Sequence, residues 1–139
     1  MEKKNIDWSS IGFAYMPTDY RYVSNFKDGK WDEGTLSTDP NIVLNECAGV
    51  LQYSQSVFEG LKAYTTEDGH IVTFRPDLNA ERMAASAARL EMPVFPKERF
   101  IDAVEQVVKA NAAWVPPYRF RRNTLSSPVH VWFQRRDRC

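Results

Sequence analysis

Cysteine and histidine are scarce: two of each in 139 residues. Neither Cys47 nor Cys139 belongs to a CxxC or Cys/His pair of metal spacing, so no metal site is expected. The reading is of a protein with reduced thiols in the cytoplasm. No apolar run approaches the ~20 residues needed to cross a bilayer, so no membrane association is expected. The opening MEKKNIDWSS has no apolar stretch behind its lysines, so no signal peptide is expected. Low complexity and internal repeats are absent as well. With 43% hydrophobic and 26% charged residues, the composition is that of a globular chain, and its length favours one domain.

Lysine is missing from one part of the chain only. Residues 119–139 contain six arginines, one aspartate and no lysine, whereas residues 1–118 carry 12 basic and 17 acidic groups, seven of the basic ones lysine. The formal net charge of zero therefore joins a body of −5 to a tail of +5. The change in usage after Tyr118 separates a body, 1–118, from a basic tail, 119–139.

Within the body, residues 12–26 are rich in aromatics and read as extended. Asp28-Gly29 and Asp68-Gly69 read as tight hairpin turns. The polar stretch DEGTLSTDPN leads to a strand expected at Ile42–Leu44. Val50–Tyr64 follows, its second half a strand entering the Asp68-Gly69 turn, with His70–Phe74 as the return. Pro76, with Asp77 or Asn79, starts a helix whose Met83, Ala87 and Leu90 share a face. A second helix is expected at about Lys97–Trp114, with Phe100, Val104, Val107 and Val108 as its core stripe. Strands first and two helices after argue an α+β fold: an antiparallel sheet with two helices.

The segment Leu51–Tyr64, LQYSQSVFEGLKAY, resembles the branched-chain amino acid aminotransferases, class IV aminotransferases of fold type IV that use pyridoxal phosphate. The family has an aromatic block centred on F-E-G, followed by K or R, then a turn, a strand and F-R-x-x-x-N/H-x-x-R-M. Phe74–Met83, FRPDLNAERM, stands in the corresponding place. Gly12–Tyr20, the KDGKWDEG segment and Trp114–Pro117 also resemble the family. The likeness covers about residues 8–118 and implies the small N-terminal domain alone, an incomplete fold.

The resemblance implies site residues that composition does not. Arg82, otherwise a solvated helix arginine, is expected to bind the cofactor phosphate, since a guanidinium fork suits a phosphate dianion. Tyr53 and Phe58, otherwise strand aromatics in a core, are expected to wall the substrate side-chain pocket, and Phe13 aligns with another wall. Gly60 reads as a backbone requirement, and Glu59 receives no catalytic role. The family's Schiff-base lysine lies in its large domain. Lys62 occupies a position where the family has K or R, and the other six lysines match no catalytic motif, so no catalytic residue is expected here.

After the W-V-P-P-Y exit the family continues G-S-G-A-T-L-Y-x-R-P-Y. Codons permitted for residues 119–139, read one base later, give GSGATLYHRPYMFGSNAVTG. Trp132-Phe133 forces a glycine in that frame, where the family has one. The tail is thus expected to be frameshifted, outside the family and disordered. The rival is a non-catalytic binding protein whose six arginines, with Phe120, Trp132 and Phe133, form a basic arm for nucleic acid. The resemblance instead implies amino acid and 2-oxo acid substrates, a homodimer, no nucleic acid and an inactive fragment. Class IV relatives acting on D-amino acids or aminodeoxychorismate are the alternative chemistry.

Overall fold

A computed structural model describes residues 2–9, 11, 15–118 and the backbone of 129–130. The α+β class is as read from the sequence. Eight short strands and three α-helices are described, the strands in four antiparallel pairs.

The Asp-Gly turns form where expected. β2 (Phe26–Lys27) pairs with β3 (Lys30–Trp31), Phe26 opposite Trp31. Asp28 and Gly29 both take positive φ, 52° and 79°, as a two-residue hairpin turn of this hand requires. β6 (Ala63–Thr65) pairs with β7 (Ile71–Thr73) around Gly69, at φ 85°. β1 (Arg21–Val23) pairs with β4 (Thr35–Ser37), Tyr22 opposite Leu36. So the polar stretch holds a strand, with Leu36 its one apolar residue, while Ile42–Leu44 does not form the expected one. Ile42 and Val43 are exposed, and a short apolar run makes a strand only where it finds a partner.

Overlapping the start of the motif block is a short helix that the sequence reading lacked, α1 (Gly49–Tyr53). Ser54 ends it in the left-handed region, φ 52°. β5 (Gly60–Leu61) follows, paired antiparallel with β8 (Val129–His130). Apart from this pair, the expectation for residues 119–139 lies outside the described residues. Cys47 Sγ lies 2.9 Å from Asn45 Oδ1. The expectation of reduced thiols rests also on Cys139, which lies outside the described residues.

Helix α2 (Pro76–Arg89) begins with proline at its first turn, where the missing N–H costs nothing. Arg75, just before it, sits at φ 48° and donates to Asp77 from Nε and Nη2 at 2.9 and 2.6 Å. Helix α3 (Lys97–Ala110) stops short of the expected end, and Ala112–Trp114 form a 3-10 turn instead. The core is the meeting of these two helices with β5. Phe100 and Val104 are 1% exposed and pack with Met83, Ala87, Leu61, Val57 and Phe95. Val108 joins from the expected stripe, partly buried. Leu90 falls off the helix end and is 41% exposed, so the α2 stripe stops at Ala87. Trp31 closes the core from the β2–β3 hairpin. It meets Phe95 edge-on at 5.0 Å and donates from Nε1 to the Val94 carbonyl at 3.0 Å.

Candidate functional site

The F-E-G block and the N-x-x-R block, 20 residues apart in sequence, meet at one carboxylate. Glu59 precedes β5, and its side chain is 10% exposed. Its Oε1 accepts from Asn79 Nδ2 at 2.8 Å and from Arg82 Nη2 at 2.5 Å. Its Oε2 accepts from Arg82 Nε at 3.2 Å. Asn79 and Arg82 lie at i and i+3 on α2, on one side of the helix, which is why both reach Glu59. Asn79 Nδ2 also donates to the Gly60 carbonyl at 2.8 Å, tying the carboxylate to the start of β5.

A buried carboxylate must be paired, and here it is paired and hydrogen-bonded on both oxygens. The Glu59 hydrogen bond and charge raise the Arg82 pKa, so the guanidinium is charged at every accessible pH. Its side chain is 60% exposed, consistent with its place off the core stripe. Glu59 takes the edge made by Nε and Nη2. The edge made by Nη1 and the second Nη2 hydrogen has no protein partner among the described residues. That edge has the geometry to receive two oxygens of a phosphate.

Among the described residues, the two other expected site residues are exposed. Tyr53 ends α1 and is 86% exposed, and Phe58 adjoins Glu59 and is 60% exposed. Neither is the strand aromatic of a core that composition suggested. Phe13 lies outside the described residues. Gly60 is not the backbone requirement expected of it: a Cβ there would meet only the Phe58 ring, at an ordinary 3.7 Å.

Two lysines have resolved shifts, and both are engaged with protein oxygens. Burial lowers the Lys3 pKa, and its Nζ donates to the Ala112 carbonyl at 3.1 Å and to Thr65 Oγ1 at 3.4 Å. Glu81 raises that of Lys97 through a hydrogen bond at 2.6 Å. Among the described residues no group of three His, Cys, Asp or Glu could hold a metal, and no helix is long and apolar enough to cross a membrane.

The residue that sequence reading missed is Glu59. The signal was available: a carboxylate between Phe58 and Gly60, in a stretch bound for the core, needs a cationic partner.

No protein-family model matches the chain. Curated relatives do. A branched-chain-amino-acid aminotransferase of Haemophilus influenzae is 52% identical over 115 residues, covering 83% of this chain and 34% of the relative. One from Helicobacter pylori is 42% identical over 116 residues, covering 84% and 34%. A methionine aminotransferase of Arabidopsis thaliana is 46% identical over 114 residues, covering 81% and 32%. The class these matches and motifs define is that of the aminotransferases. Within it, the chain belongs to the branched-chain amino acid aminotransferase family, as a fragment that corresponds to the N-terminal third. It spans about a third of the length of the curated relatives it matches.

Proposed function

We propose that this chain is the small domain of a pyridoxal-phosphate enzyme that, when whole, transfers the amino group of leucine, isoleucine or valine to 2-oxoglutarate. The observation that carries the reading is the Arg82 guanidinium. One edge is fixed by Glu59, and the other is open to an oxyanion. The donor set therefore fits one end of a cofactor phosphate. When bound, pyridoxal phosphate supplies the carbonyl that takes up the amino group and the ring that spreads the resulting charge.

The tasks of this chain's own residues are to bind and to exclude water. Arg82 holds the phosphate by paired charged hydrogen bonds. Tyr53, Phe58 and Phe13 give the branched side chain a dry aromatic surface. The exposure of Tyr53 and Phe58 supports this, because large aromatics left open call for something to cover them. In the whole protein that cover comes from the large domain and from the second subunit of a homodimer.

The isolated chain is inactive in this reading, because no lysine of 1–118 matches the family's Schiff-base position. Residues 119–139 are a frameshifted reading of the family's continuation. A cytoplasmic location belongs to the same proposal and rests on the sequence.

The test is direct. Purified chain given leucine, 2-oxoglutarate and pyridoxal phosphate is expected to form no glutamate above the cofactor's own slow background. Turnover abolished by borohydride and by one lysine substitution would overturn the inactivity. Resequencing the codons for Tyr118 and Arg119 tests the frame. An unchanged reading, with no large domain encoded downstream in another frame, overturns that part.

A further inference from the structure

We propose that Glu59 and Asn79 are positioning residues for Arg82, a clamp that fixes the guanidinium plane so that its open edge meets an oxyanion already oriented. The proposal rests on the reading of Arg82 as a phosphate contact.

Burial gives the clamp its direction. Glu59 is 10% exposed and Arg82 is 60% exposed, so the fixed member lies beneath and the working member lies outside. Glu59 itself cannot swing. Asn79, at 6% exposure, directs Nδ2 to both Glu59 Oε1 and the Gly60 carbonyl, each at 2.8 Å. Those contacts engage both hydrogens of the amide.

Donor accounting gives the clamp its use. A guanidinium has five N–H groups. Glu59 takes Nε–H and one hydrogen of Nη2, leaving three, two of them parallel on the Nη1–Nη2 edge. An arginine reaching from a helix into water otherwise samples many rotamers, all but one of which must be given up on binding. Sequence placement agrees: the two ends of the clamp are the two motif blocks themselves.

The experiment uses the 139-residue chain and two probes, inorganic phosphate and pyridoxine 5′-phosphate, which has no aldehyde to react with surface lysines. In the native chain the Arg82 Nη protons are expected as separate NMR lines, because rotation about Nε–Cζ is blocked. Glu59→Asp keeps the charge but loses a methylene of reach. Asn79→Ala frees the carboxylate. Both are expected to average those lines and to weaken pyridoxine phosphate about tenfold, the size of restored side-chain freedom. Arg82→Ala that leaves probe binding unchanged overturns the phosphate reading itself. Weaker binding in Arg82→Ala, with native affinity in folded Glu59→Asp and Asn79→Ala, overturns the clamp alone. Averaged Arg82 lines in the native chain overturn it without any variant.

Discussion

Asn111 holds the backbone of Tyr20 from both sides. Its Oδ1 accepts from the Tyr20 N–H at 3.0 Å, and its Nδ2 donates to the Tyr20 carbonyl at 2.8 Å. The side chain thus does for Tyr20, just before β1, what a neighbouring strand would do. Because Asn111 also caps α3, it joins the first strand to the last turn of the helix. Asn111→Ala is expected to cost about 2 kcal/mol, since a part-buried N–H and carbonyl lose their partners together. Urea denaturation with an unchanged slope would measure it, and a loss under about 0.5 kcal/mol would show that water replaces the amide.

Gly34 and Gly29 separate backbone strain from collision. Both have positive φ, 74° and 79°. A Cβ at Gly29 meets nothing, whereas one at Gly34 comes within 2.1 Å of Tyr22 Oη. Tyr22 cannot easily retreat, because it packs on the core and its hydroxyl donates to the Glu33 carbonyl at 3.0 Å. Gly29→Ala is expected to cost about 1 kcal/mol, and Gly34→Ala about 2–3 kcal/mol. Equal losses in thermal melts would remove the Tyr22 contact from the account.

The Arg75–Asp77 pair sets an acid limit. Hydrogen bonds from Arg75 hold the Asp77 carboxyl down at about 2, against an ordinary 3.8. A depressed carboxylate contributes its stability in full above 3.8 and loses it as pH falls toward 2. The carboxyl carbon of Asp77 is expected to titrate near 2 by NMR, and Arg75→Ala should return it toward 3.8. A midpoint that ignores Arg75 would assign the shift to the helix terminus instead.

Arg82→Ala in the frame-restored, full-length protein is expected to weaken pyridoxal phosphate ten- to a hundredfold, roughly the worth of a bidentate charged contact. Arg82→Lys recovers only part, because an ammonium cannot present two parallel donors. Equilibrium dialysis reads both. Native affinity in the alanine variant would leave Arg82 an ordinary surface arginine.

What could be read from the sequence had a local cause. Asp28-Gly29 and Asp68-Gly69 announce turns because positive φ restricts the residue choice, and Phe100 and Val104 announce a buried helix face by spacing alone. The β1–β4 pairing was hidden because Thr35–Ser37 carries a single apolar residue and gains its role from a partner 14 residues away. The strand expected at Ile42–Leu44 failed for the opposite reason: apolar residues without a partner. Of the site, Arg82 came from a family likeness, while the partners of Glu59 needed the fold. Only three-dimensional proximity shows that Phe58-Glu59-Gly60 and Asn79-x-x-Arg82 share one carboxylate.

The helix pair has a consequence in time. α2 and α3 are joined by only Leu90–Pro96, so their contact closes a short loop at small entropic cost. The Trp31–Val94 bond, by contrast, spans 63 residues. The helical hairpin should therefore form early, with the β2–β3 hairpin docking after it. Ala103→Gly, which weakens α3 at a site 1% exposed, is expected to slow refolding. Trp31→Phe, which removes the late contact, is expected mainly to speed unfolding, so the two substitutions should act on opposite limbs of the denaturant–rate plot.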